Sequence, residues 1–280
     1  VTNGVIRTIF ESRDRSIWLG TAAGLVQISG NRFRTYNQAD GLSDNTVRAI
    51  LEDSSGTIWI GTSNGLNRLQ GAQLDQFNFG EMIRRIAIFS IMEDHKKQIW
   101  LGSHKGAVRI AANRTDFRIF TRNDGMSGNV VLTVLQDKRK QYWFGTDTGL
   151  TYLRNNQFHP ITMKDGLPNN TIYKIIEDNH QNLWFSSVQG IFSMPPGMVD
   201  QYIENRERYH LAPDLYTKDD GMIANECNGG SQAAGCITTN GQIWFPTMKG
   251  LAVIDTGKRD QNRILPPIRI EQIVVDNQIL

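Results

Sequence analysis

The sequence predicts an all-β fold, a β-propeller of four-stranded antiparallel blades, and three observations carry that prediction. All six tryptophans (Trp18, Trp59, Trp100, Trp143, Trp184 and Trp244) are followed by an apolar residue, then Gly, Ser or Pro, then Ser or Thr. Their spacings of 41, 41, 43, 41 and 60 residues give a period near that of propeller blades. Each unit divides into four short runs bounded by Gly, Asn, Asp and Ser, as strands and tight turns require. A chain of 280 residues also exceeds what one growing core supports, and stacking of repeats resolves this.

The second unit is the clearest. Residues 46–52 (TVRAILE) alternate as a first strand, and Asp53-Ser54-Ser55-Gly56 forms a turn. Residues 57–62 (TIWIGT) make the second strand, Ser63-Asn64-Gly65 turns the chain, a third strand begins at Leu66 and a fourth spans 73–78. Asp-Gly-Leu or Asp-Gly-Met then leads into the next unit, at Asp40, Asp124, Asp165 and Asp220. The long fifth spacing holds an insertion of 19 residues. Within it Met198, Val199, Tyr202 and Ile203 fall at helical spacing, so a short surface helix is expected near 197–208, covering an apolar patch beside the fifth blade or, alternatively, contacting a partner domain. Six repeats are visible, and the propeller is assigned to 1–265.

Thirty basic and 28 acidic residues leave a formal charge of +2 with no basic run, so neither nucleic acid nor an anionic membrane is indicated as a partner. No stretch approaches the roughly 18 apolar residues of a membrane helix, and no charged-then-apolar leader opens the chain. The abrupt start and the strand-like end suggest a piece of a longer polypeptide. Cys227 and Cys236 are expected to be free thiols, since nine strand residues would separate them far beyond disulfide reach, although the loop-like Asn228-Gly229-Gly230 leaves a bridge open.

Residues 40–69, from Asp40-Gly41-Leu42 through Trp59-Ile60-Gly61-Thr62 to Leu69, resemble the two-component regulator propeller repeat. The last unit resembles the terminal blade of that sensor type, with Asn225-Glu226-Cys227-Asn228-Gly229-Gly230 and Trp244-Phe245-Pro246-Thr247. Residues 266–280, opening Pro266-Pro267-Ile268-Arg269, resemble the start of the triple-tyrosine immunoglobulin-like domain that follows such propellers, or else a closing strand. The resemblance implies a seven-bladed ring as the usual form. It also implies a periplasmic or otherwise extracytoplasmic position in a bacterium, ahead of a membrane helix and a cytoplasmic histidine kinase or diguanylate cyclase. Its implied partners are a small-molecule signal, often a carbohydrate fragment, or a protein, with the immunoglobulin-like domain in cis and a homodimer as further partners.

The sequence has no phosphate-cradling loop, His-x-x-x-His or Cys-x-x-Cys. No cofactor or metal is expected. Acidic turns such as Glu52-Asp53-Ser54-Ser55-Gly56 lack the ligand spacing of a calcium loop and are read as Asx turns. If the first strand of each blade is innermost, the loops before it share one rim with the turns after the tryptophan strand. That rim gathers Asn45, Arg84, Arg85, His104, Lys105, Asn129, Asn170, Glu226, Asn228 and Lys249, polar groups suited to a hydroxyl-rich or carboxylate-bearing ligand. Arg84 and Arg85 replace the usual Asp-Gly-Leu segment in the third unit, and a guanidinium can hold a carboxylate through two hydrogen bonds. The terminal unit lengthens the same region by five residues, 24 positions from Asp220 to Trp244 against 19 from Asp40 to Trp59. The expected function is a sensory ligand-binding propeller; alternatives are a protein-binding or spacer propeller and, last, a propeller lyase or glycosidase.

Overall fold

A computed structural model describes residues 5–80 and 85–257, with the backbone of 274–275 and 278–279. Five four-stranded antiparallel sheets follow one another, each in sequential strand order. Blade 1 comprises Ile6–Glu11, Ile17–Thr21, Gly24–Ser29 and Arg32–Tyr36. Among the described residues blade 6 has three strands, Cys236–Ile237, Gln242–Thr247 and Gly250–Asp255. The propeller class is as the sequence predicts. Residues 266–273, and with them most of the segment compared with an immunoglobulin-like domain, lie outside the described residues, as do the side chains of the hairpin that pairs Val274 with Ile279.

The repeat spacing has a hydrogen-bond cause. Asp53 closes the turn after the first strand, its Oδ1 accepting from the Ser55 and Thr57 amides, while its Oδ2 accepts from Trp59 Nε1 at 2.8 Å. Trp100, Trp143 and Trp184 donate in the same way to Asp94, Asp137 and Asp178, each six residues earlier. One carboxylate thus anchors both a turn and the buried indole behind it, which is why Asp and Trp recur together. Blade 1 uses Ser12 Oγ instead, 3.0 Å from Trp18 Nε1.

The Asp-Gly-Leu signal is a one-turn 3-10 helix. The Thr162 side chain caps it, Asp165 returns a bond to the Thr162 amide, and Gly166 takes the left-handed conformation at φ 104° that ends it. The glycine after each early tryptophan serves a different need. A Cβ on Gly20 would stand 2.8 Å from Val47 Cγ1 of the next blade, and one on Gly145 would stand 2.8 Å from Ile172 Cγ2. Its absence lets the first strand of the following blade close in, so first strands of blades 1–5 line the axis.

The inserted helix α1 runs Met198–Glu204, shorter than the expected 197–208, because Asn205 leaves helical geometry at φ −142° and residues 205–208 form a turn. Val199 and Tyr202 are buried against Trp143, Tyr152 and Leu211, covering the seam of blades 4 and 5. Asp200 accepts from the Tyr152 hydroxyl and from Arg139 at 2.7 Å, fixing the helix on blade 4.

Candidate functional site

The expected rim exists. Turns after the tryptophan strand bond to the segments before the first strand: Ser63 N to Thr46 O, His104 N to Ala87 O, Asp147 N to Val130 O, Met248 N to Glu226 O. Yet most of its amides are engaged in building the loops. Asn45, Asn129 and Asn170 each accept through Oδ1 from a backbone amide seven residues earlier, at 2.9 Å, tying the 3-10 helix to the approach of the first strand. Asn228 donates its amide to Thr247 O. His104 Nδ1 accepts from the Ala87 amide. Arg85, Lys105, Glu226 and Lys249 are exposed at the loop tips, and Arg84, with residues 81–83, lies outside the described residues. The rim therefore holds together as a structural frame with scattered charges, and the described residues form no single convergent cluster there.

The five extra residues of the last unit lie elsewhere than the rim. Cys227 pairs with Thr247 and Cys236 with Trp244, as Val47 pairs with Thr62 and Leu51 with Trp59 in blade 2. Eight residues (228–235) thus stand where blade 2 has three (48–50). The surplus leaves the sheet in mid-strand and crosses the central channel. Gln232 donates its amide to Arg48 O and its side-chain Nε2 to Ile50 O, and its Oε1 accepts from the Ile91 amide. A loop of blade 6 thereby meets the inner strands of blades 2 and 3, while Lys174 of blade 5 donates to Gln232 O at 2.9 Å. Gly229 lies flat on the Tyr173 ring, where a Cβ would come within 2.0 Å of a ring carbon. The channel is plugged.

Around this plug stand cations that sequence reasoning passed over. The first strands of blades 1–5 carry a bulge at one register, occupied by Arg7, Arg48, Phe89, Leu132 and Tyr173. Arg48 bonds Ser63 Oγ and Gly230 O and lies over the Phe89 ring. Burial first, and then the nearby charge of Arg7, lower its pKa, with Asp44 acting in the opposite sense. Burial pushes the Lys174 ammonium down to about 8, against an opposing contribution from Cys236. The available signal was the repeat register: aligned on the tryptophans, two arginines occupy a position held elsewhere by large apolar residues.

Between blade 1 and the plug lies a cleft of about 530 Å³, walled by the first strand of blade 1 and by loop residues including Asn228, Ser231 and Ala233. Arg7 is the single charged side chain among its lining residues, and its Nε is buried without a hydrogen-bond partner. Among the described residues no three His, Cys, Asp or Glu side chains are placed to hold a metal ion, and no helix is long and apolar enough to cross a membrane. Cys227 and Cys236 are unbridged; burial of Cys227 raises its pKa to about 11.

Solved structures share this fold. The extracellular domain of a B. thetaiotaomicron protein described as a hybrid two-component system superposes with a TM-score of 0.56 at 19% identity, over 100% of this chain and 44% of that one. Virginiamycin B lyase from Staphylococcus aureus, solved with quinupristin, gives 0.67 at 13% identity over 88% of this chain and 80% of that one. PorZ of Porphyromonas gingivalis, a surface component of the type-IX secretion system, gives 0.66 at 14% over 90% and 38%. At such identities the likeness is one of fold, and the chain spans less than half the length of the first of these. No curated protein matches the sequence. Residues 41–64, 125–148 and 166–189, each running from the Gly of a 3-10 turn into the hairpin after the tryptophan, match the family described as two component regulator propeller. Three of the six repeats of this propeller are thus similar to the two-component regulator repeat.

Proposed function

We propose that this propeller is the extracytoplasmic sensing part of a bacterial two-component signalling protein, binding a small molecule and passing occupancy on to the domain that follows it. The match of three repeats to the two-component regulator family carries the reading. In this role the propeller itself is non-catalytic, and any kinase or cyclase output resides elsewhere in the polypeptide. Likeness to a lyase in fold supports no lyase chemistry here, because function belongs to sites rather than folds.

The test is a thermal-shift screen of the purified chain against oligosaccharides, uronic acids and organic acids. A ligand that binds only the folded state adds about 2.7 kcal/mol at one hundred times its Kd. For a chain of this size that is a rise of several degrees in Tm. A second reading, a protein-binding propeller, is favoured by the exposed apolar side chains Ile6, Ile9, Leu251 and Val253. A flat screen across all three ligand classes overturns the sensing reading in favour of that one.

A further inference from the structure

We infer that the cleft between the first blade and the plug binds a small carboxylate with an apolar body, and that Arg7 holds the carboxylate. This inference rests on the sensing reading and moves its site from the rim, where the sequence pointed, to the cleft along the first strand of blade 1.

The contrast between two arginines at one register leads to it. Arg48 has a hydroxyl, a carbonyl and an aromatic face around its guanidinium. Arg7, one blade earlier, has a buried Nε with no acceptor among the described residues. Because that Nε is closed to solvent, the part of the fork left to face the cleft is its two terminal nitrogens, which match a carboxylate end-on through two N–H groups. The rest of the cleft selects the body of the ligand. Ile6 and Ile9 are 50% and 60% exposed, and Ala233 and Pro246 continue the apolar wall. Burying that surface is favourable at roughly 25 cal/mol per Å². Asn228 and Ser231 add two neutral polar groups at the plug. A volume of about 530 Å³ is in the range of sites for ligands of drug-like size. One lining cation and apolar walls suit an aryl or branched-chain acid. A phosphate would need more positive charge, and a sugar would need walls richer in hydrogen-bonding groups.

The test is isothermal titration of the full chain with phenylacetate, its neutral analogue phenylacetamide, galacturonate and inorganic sulfate, repeated on Arg7→Gln, Arg7→Lys and, as a rim control, Arg85→Ala. Phenylacetate is expected to bind at least tenfold more tightly than the amide, galacturonate or sulfate. Arg7→Gln should lose at least tenfold in affinity, Arg7→Lys should restore part of it, and Arg85→Ala should match the unaltered chain. Equal binding of acid and amide, no binding of the acid, or undiminished binding by Arg7→Gln overturns the proposal. Should Arg7→Gln fail to fold, the acid-against-amide comparison on the unaltered chain decides alone. A ligand from the broader thermal screen that binds Arg7→Gln normally would leave the sensing reading standing and remove this site; a flat screen removes both.

Discussion

Two kinds of seam border the blades, and the same residue types stand at equivalent repeat positions in both. In the closed seams, Ile50 of blade 2 packs on Trp18, Leu25 and Tyr36 of blade 1 and is 1% exposed. Ile9 occupies the same register in blade 1, where the described residues put no such neighbour against it, and is 60% exposed. The opposite wall shows the same contrast: Leu25 is 0% exposed and its counterpart Leu251 in blade 6 is 54% exposed. The repeat specifies turns, pairing and which face is apolar, but burial comes only from the neighbour. Blade 6 is tied to the ring differently, through its own closed seam with blade 5 and through the Gln232 plug, whose bonds reach blades 2, 3 and 5.

Truncation measures that contrast most directly. Trp59→Ala, which empties a closed seam and strands Asp53, should destabilise by about 3–5 kcal/mol, whereas Trp244→Ala in the half-buried position should cost well under half as much. Ile50→Ala should cost about 2–5 kcal/mol and Ile9→Ala less than about 1. Denaturant midpoints compare the pairs, and equal losses would mean the two seams are alike in solution. Gln232→Ala removes two side-chain hydrogen bonds at the axis, a loss of about 1–3 kcal/mol. Its specific mark is faster hydrogen exchange at the Ile91 amide; unchanged exchange would show that the plug does not bind blade 3. Trp244 Nε1 is buried without an acceptor because Thr238, at the position held by Asp in blades 2–5, turns its hydroxyl to Asn240 and to Gln242 O. Thr238→Asp should restore the missing bond and stabilise by about 0.5–1.5 kcal/mol, seen as a higher Tm.

These results also mark what the sequence made legible. Blade count, strand order and the 3-10 turns follow from local chemistry: the six-residue Asp–Trp link and the Asp-Gly pair write their geometry into every copy. The joining of the rim's two sets of loops was legible, but the commitment of Asn45, Asn129 and Asn170 Oδ1 to backbone amides was not, since sequence does not tell a free side-chain acceptor from an engaged one. The five surplus residues were visible as a number. Their path was not, because the pairing of Cys227 with Thr247 and Cys236 with Trp244 decides whether the surplus lies in a rim loop or in mid-strand. Arg7 and Lys174 acquire meaning only from long-range burial, which periodicity does not encode.

Lys174 supplies the finest probe of the plug. Its ammonium titrates at about 8 in the fold against an ordinary 10.5, because burial beneath the plug penalises the charge. Between these values the unfolded chain binds more protons than the folded one, so this group makes stability rise with pH from about 8 to 10.5 and contributes no slope below or above that window. Lys174→Met removes the group, and the difference in Tm between the unaltered chain and the variant, followed across pH 7–11, should therefore change in favour of the unaltered chain only within that window. Gln232→Ala should weaken the same rise if it is the plug that buries the ammonium. A difference that stays flat with pH would place Lys174 in water and the plug outside the channel, and the contrast between a packed seam and a plugged one would lose its physical basis.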